Sequence, residues 1–142
     1  MRRLLLATLV VALGMAAQTV QAAWTYMGHI DGNTVLIDRS SIELKKRNAL
    51  VWILTNYSTV TANQLLSLAT HLEFDCDKNK VRYVQLYGYE GQMQSGARLM
   101  TVVEPGQWVA VDYGTLMKSL QQIACLRGPN FRQEGVLNKP PK

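Results

Sequence analysis

The sequence predicts an α+β domain: an antiparallel β-sheet of about six strands in a meander, with one C-terminal helix packed on one face and disulfide-linked to the sheet. Three observations carry that expectation. Between Trp24 and Val111 the apolar residues fall in short runs rich in Val, Ile, Tyr, Trp and Thr, broken by Asp, Gly, Asn and Pro. From Leu116 the apolar period lengthens to that of a helix. Two cysteines, Cys76 and Cys125, stand one in each part of a chain that opens with an export signal.

The opening reads Met1-Arg2-Arg3, then an apolar run from Leu4 to about Ala17, then Gln18-Thr19-Val20-Gln21-Ala22. This is a charged start, an apolar stretch and a small-residue cleavage site, so residues 1–22 are expected to be a signal peptide cleaved after Ala22. The alternative is an uncleaved anchor, but the run falls short of the roughly 20 residues a spanning helix needs. The mature chain is therefore expected to have no membrane span and to be periplasmic, secreted or at the cell surface. No cysteine lies near the cleavage site, so it is not expected to be a lipoprotein. Arg2-Arg3 resembles a twin-arginine signal, although the apolar run follows it too soon.

Residues 23–125 read as one folded domain. Trp24 to Ile30 is a strand, Asp31-Gly32-Asn33 a turn, and Thr34 to Asp38 a second, short strand. Ser40-Ser41 leads into Ile42-Glu43-Leu44, and Lys45-Lys46-Arg47-Asn48 turns the chain. Ala49 to Tyr57 is the strongest strand, apolar at both even and odd positions. Burial on two faces is unusual in an antiparallel sheet, and it predicts that the face away from the helix is covered, by a second copy in a homodimer. After a polar loop at 58–64, residues 65–76 alternate. Leu66, Leu68, Leu72, Phe74 and Cys76 take one face, and Ser67, Ala69, His71, Glu73 and Asp75 the other.

Asp77-Lys78-Asn79-Lys80 is a hairpin turn, Val81 to Glu90 a strand, Gly91–Gly96 a flexible turn, and Ala97 to Glu104 another strand. Pro105-Gly106 marks a reversal, after which Trp108–Val111 extends again. Leu116, Met117, Leu120, Ile123 and Ala124 form the helical stripe, with Asp112 or Thr115 as N-cap. Residues 126–142, with Gly128, Pro129, Gly135, Pro140 and Pro141, read as a disordered tail.

An even cysteine count in an exported domain implies a bridge between Cys76 and Cys125; free thiols or a metal pair are the other readings. Topology agrees with the bridge. In a meander the turns at 45–48 and 77–80 share one end, strand 97–104 returns to it and 108–111 leaves it. The helix then comes back and brings Cys125 to Cys76.

The chain carries a net charge of +5, but nine Lys and Arg between Ala23 and Cys125 meet nine Asp and Glu. The body is neutral, which argues against nucleic acid, whose binding needs a basic surface. Three side-chain groups are candidates for function. Tyr83, Tyr87 and Tyr89 share a face, offering contact area with polar tips; packing inside the sheet is the plain alternative. Lys45, Lys46, Arg47, Lys78, Lys80 and Arg82 gather at one end and would attract an acidic partner or a sulfated polysaccharide, or simply keep turns soluble. His71, Glu73 and Asp75 could chelate a metal, with His29 as a possible fourth donor, but the expected reading is a solvated polar face and no metal. No cofactor is implied. Gly88, Gly91 and Gly96 do not make a phosphate loop, and no nucleophile–histidine–acid set can be assembled.

The run Val35-Leu36-Ile37-Asp38-Arg39-Ser40-Ser41-Ile42 and then Val51-Trp52-Ile53-Leu54-Thr55-Asn56-Tyr57 resembles the opening of the surface-adhesin protein E-like family. Glu73-Phe74-Asp75-Cys76 and Tyr87-Gly88-Tyr89-Glu90-Gly91-Gln92-Met93-Gln94-Ser95-Gly96 resemble its middle, and Trp108 with Ile123-Ala124-Cys125 its close. The likeness covers about residues 24–125. It implies an antiparallel sheet with a C-terminal helix pinned by the disulfide, and a non-catalytic protein binding a host extracellular-matrix or cell-envelope protein. The chain departs from the family at Arg39, where Pro is frequent, at Gln92 and Gln94 around Met93, and in having no lipid-attachment cysteine. A periplasmic inhibitor or accessory protein is the first alternative. An envelope hydrolase using Glu73 and Glu90 is the second, disfavoured one.

Overall fold

The computed structural model describes residues 22–126, so positions 1–21 of the expected signal peptide and the tail from residue 127 lie outside it. Strands β1 (Trp24–Ile30), β2 (Asn33–Lys45), β3 (Asn48–Asn56), β4 (Ser67–Asp75), β5 (Lys80–Tyr89) and β6 (Arg98–Val102) pair in sequence order, each antiparallel to the next. That is the expected meander. Asp31 and Gly32 close the first hairpin with φ of 50° and 79°, the doubly left-handed pair that suits Asp-Gly.

Helix α1 (Leu116–Leu126) follows the sheet, and Thr115 caps it: its Oγ1 accepts from Lys118 N at 3.2 Å. The helix lies obliquely over β1 to β4. A Cβ on Gly28 of β1 would meet Leu116 at 3.4 Å, while Cys125 at the other end is bonded to Cys76 just past β4. Leu120 and Ala124 are fully buried against Val35, Ile37, Val51, Ile53, Leu72 and Phe74, which all point to this side of the sheet. The bridge spans 49 residues of sequence with Cα atoms 5.9 Å apart. Gln121, also buried, donates to Asp75 O at 3.3 Å and so fixes the same corner.

The sheet departs from expectation in four places. The second and third short runs are one strand, β2, interrupted between Asp38 and Glu43, where the ladder to β3 slips. Pro105-Gly106 does not reverse the chain. A short strand β7 (Val109–Ala110) pairs antiparallel with β5 at Lys80 and Val81, as β6 does at Leu86–Tyr89, so both run the same way along one edge. Residues between them loop out without turning back, and Gly106 N still reaches Tyr83 O at 2.9 Å. The chain thus reaches the 77–80 end before the helix begins, with Val111 N bonded to Asn79 O at 2.9 Å. Cys125 meets Cys76 because the helix crosses the sheet obliquely, not because a further strand ran away.

The third departure is the 91–96 segment, which is tied to the sheet by hydrogen bonds. A 3-10 turn (Gln92–Gln94) is bonded to β3 and β4, as described below. The fourth concerns β3. Leu50 is 7% exposed and Leu54 0%, within a single chain. Both side chains belong to the face away from the helix and are already buried in the single chain. The two-sided apolarity of β3 is thus met within one chain.

Candidate functional site

Side chains on the sheet face opposite the helix build the site, and the slip in β2 sets its position. Asp38 Oδ1 accepts from Ser40 N at 3.0 Å and from the Ser40 hydroxyl. Ser41 Oγ donates to Asp38 O at 2.7 Å and accepts from Trp52 N at 2.9 Å. The serine pair thus supplies the hydrogen bonds that the broken ladder loses, and it anchors the backbone at Trp52.

Register then places a row of flat groups across the sheet. Trp52 lies opposite His71, and their rings stack at 4.5 Å with planes 5° apart. Tyr87 stacks on Trp52 at 5.6 Å and 15°. The Arg98 guanidinium lies over Tyr87 at 4.4 Å and over Tyr89 at 5.6 Å. Ala69, between Leu54 and Tyr87, leaves room for the ring. The row runs from β3 to β6, each flat group supported by the next.

One end is closed by the 3-10 turn. Ser67, fully buried, donates through Oγ to Gly91 O at 2.6 Å and accepts from Gln94 N at 3.0 Å. Asn56 Oδ1 accepts from Met93 N at 2.8 Å, and Gln92 Nε2 donates to Tyr57 O at 3.1 Å. Met93 and Gln94 both hold positive φ, 54° and 61°, a conformation non-glycine residues keep only where their surroundings impose it. Gly91 is required here, since a Cβ would come within 2.8 Å of Ser95 O. An open groove of about 300 Å³ results, lined by Trp24, Asp38, Trp52, Tyr87, Gln94 and Arg98. Five strand spacings of ~4.8 Å separate the outermost strands. Trp24 from β1 and Arg98 from β6 close the groove from those two sides.

His71 has its pKa lowered, first by burial, with the nearby carboxylates of Glu43 and Glu73 and the Gln85 side chain pulling the other way.

The candidate residues read from the sequence are redistributed. Tyr87 and Tyr89 belong to the groove wall, but Tyr83 does not share their face. The β4–β5 ladder slips at Val84, so that Gln85 pairs with His71 and Tyr83 with Leu72, on the helix side. There Gly106 packs so close to the Tyr83 ring that a Cβ would overlap it. The two turns do meet at one end, with Cys76 N bonded to Arg47 O at 3.0 Å. Half the basic set is already neutralised: Lys45 pairs with Glu43, Arg47 with Asp77, and Arg82 with Glu73. Lys46, Lys78 and Lys80 form no ion pair among the described residues.

His71, Glu73 and Asp75 do not converge. His71 is stacked on Trp52. Glu73 accepts from Arg82 and from Asn48 Nδ2, each at 2.7 Å. Asp75 Oδ1 accepts from Asp77 N and Lys78 N and so caps the turn. His29 stands at β1, edge-on to Tyr26. Glu73 and Glu90 sit at opposite ends of the β4–β5 pair, about 20 Å apart along the ladder. That is too far for a carboxylate pair to act on one bond, which needs roughly 5–9.5 Å.

The chain also matches a family model. Residues 24–126 fit the model of surface-adhesin protein E. The chain belongs to that family. No curated protein matches the chain in sequence. Among solved structures it is similar to Haemophilus influenzae protein E in its selenomethionine form, at TM-score 0.56 and 16% identity, over 77% of this chain and 90% of that one. A second structure of Haemophilus influenzae protein E matches at TM-score 0.56 and 15% identity, over 75% and 86% of the two chains. Crystal form II of the same protein matches at 0.51 and 15%, over 70% and 91%. At such identities the likeness is one of fold. Haemophilus influenzae protein E thus shares this fold. Among the described residues, no helix is long and apolar enough to cross a membrane.

Sequence reasoning missed Trp52, Trp24, Asp38, Gln94 and Arg98. The two-sided apolarity of β3 was the one available signal, since it placed a tryptophan on the uncovered face.

Proposed function

We propose that this chain is an exported, non-catalytic binding domain that engages a protein partner, a host extracellular-matrix protein or a protein of the cell envelope, through its open aromatic face. One observation carries the reading: the stacked row Trp52, His71, Tyr87 and Arg98 lies on the face the helix leaves uncovered. Aromatic and arginine side chains dominate binding hot spots. Groups already fixed by their neighbours lose little freedom when a partner arrives. Membership of a family named for surface adhesion supports the same use.

Absence of catalysis is supported by what holds the two cysteines, Glu73 and His71. The thiols are oxidised, Glu73 is held by Arg82, and His71 rests on Trp52. None is poised for proton transfer. The leader, cleavage after Ala22 and absence of a lipid anchor belong to the same proposal.

The test is binding of the exported protein to a panel of immobilised host matrix proteins, comparing wild type with Tyr89→Ala/Arg98→Ala and with Lys46→Ala/Lys78→Ala. We expect at least a tenfold loss in the first variant and little change in the second. The opposite pattern would move the function to the basic turns. Protease treatment of intact cells should remove the protein; full protection would place it in the periplasm and favour an envelope partner.

A further inference from the structure

The groove has a chemistry more specific than an aromatic surface. Asp38 is 7% exposed and brings acceptor oxygens at one wall, its carboxylate oriented by Ser40. Arg98 brings five N–H donors from the other wall. Its guanidinium is stacked on Tyr87 and forms no ion pair among the described residues. The Gln94 side chain adds one amide donor group and one acceptor, on a backbone that Ser67 pins. Trp52 and Tyr87 lie between the walls, and Trp24 stands at the rim beside Asp38, its register partner.

This combination selects among ligands. One acidic side chain offsets one basic side chain, so the groove's side chains exert no net pull on a charged molecule: an anion would gain Arg98 but meet Asp38, and a cation the reverse. A purely apolar ligand would strip water from the Arg98 guanidinium without pairing it, which is costly. What fits is a small neutral body with hydroxyls on its edge, able to give to a carboxylate and accept from a guanidinium, and with C–H faces that lie against aromatic rings. That description is a pyranose ring. At about 300 Å³ the groove is at the small end of ligand sites, which suits one or two such units.

We propose that the groove binds a neutral pyranose unit of a glycan. Asp38 accepts from its hydroxyls, Arg98 and Gln94 donate to it, and Trp24 and Trp52 border its apolar faces. The inference rests on the open face being the binding surface, and it names what that face recognises: carbohydrate carried by the partner.

The experiment is a printed array of neutral, sialylated and sulfated glycans probed with the exported protein. The array is followed by titration of the best neutral oligosaccharide into wild type, Trp24→Ala, Gln94→Ala, Arg98→Ala and, as a control on the exposed helix surface, Gln122→Ala. The expected result is binding to neutral glycans that changes little between about 0.1 and 0.5 M salt. Affinity should fall at least tenfold in Arg98→Ala and Trp24→Ala, and stay as wild type in Gln122→Ala. Gln94→Ala, on an exposed turn, gives a second reading should an edge-strand variant fold poorly. An array with no neutral binder, or one bound only through sulfate or sialic acid and released by salt, would overturn the proposal. Binding to a matrix protein before and after enzymatic deglycosylation separates the two levels. Survival of binding after deglycosylation rejects the glycan and keeps the face as a protein-binding surface. Loss on deglycosylation supports the glycan.

Discussion

Ser67→Ala removes one oxygen, and its effects follow from where that oxygen sits. The hydroxyl is fully buried, donates to Gly91 O at 2.6 Å and accepts from Gln94 N at 3.0 Å. Without it, one carbonyl and one N–H lose their partner. A buried polar group left unpaired costs about 1–3 kcal/mol, but Gly91 and Gln94 are each partly open to water, so the total should be about 2 kcal/mol. The left-handed backbone at Met93 and Gln94 is then less firmly imposed and can relax. Urea unfolding should show a lower midpoint at unchanged slope, because the surface exposed on unfolding is the same. Hydrogen exchange should quicken at Gln94 and leave Leu120 in the helix unchanged. Groove binding should weaken although Ser67 touches no ligand, because Gln94 would no longer be held in place. A loss below about 0.5 kcal/mol with unchanged exchange at Gln94 would refute the pinning role.

Three further outcomes follow from the same structure. Replacing Cys76 and Cys125 together with Ala should cost up to about 4 kcal/mol by chain-entropy reasoning for a 49-residue separation, read as a fall in unfolding midpoint. A change under about 1 kcal/mol would mean that the Gln121–Asp75 contact and core packing hold the helix unaided. Leu120→Ala, at a fully buried position, should cost about 2–5 kcal/mol by the same assay. His71 has a depressed pKa in the folded state, so the unfolded chain takes up its proton first as pH falls below 6.5. The stability it contributes is complete above that pH and declines below it. His71→Phe should therefore flatten the fall in stability between pH 6.5 and about 5, above the carboxylate range, and an equal fall in both proteins would contradict it.

Much of the architecture was legible because local chemistry and global fold agree. Asp31-Gly32 has the residues its turn geometry demands, the 116–124 stripe is the stripe that is buried, and Thr115 is one of two caps foreseen. Cys76 and Cys125 meet as the export context required. What misled was residue chemistry with more than one use. Pro105-Gly106 has the composition of a reversal, yet the edge strand bulges outward there and resumes on β5. Alternation placed Tyr83 with Tyr87 and Tyr89, but a single extra residue at Val84 inverts the side for everything before it, and no sequence pattern marks that slip. The open face was the least legible part. Arg98 and Gln94 join Trp52 only through long-range pairing, and Asp38 enters the groove only because the serines after it carry the interrupted ladder.

The claim on which the account stands is that the aromatic row is already assembled in the free protein and is the surface a partner meets. Nuclear magnetic resonance of the ring protons of His71, Trp52 and Tyr87, before and after a bound partner or glycan is added, tests it most directly. The account predicts His71 ring protons well upfield of their unfolded positions in the free protein. It also predicts changes on binding at Trp52, Tyr87 and Gln94 that leave the Leu120 and Ala124 methyls unmoved. Unshifted His71 protons, or binding changes confined to the helix, would contradict it.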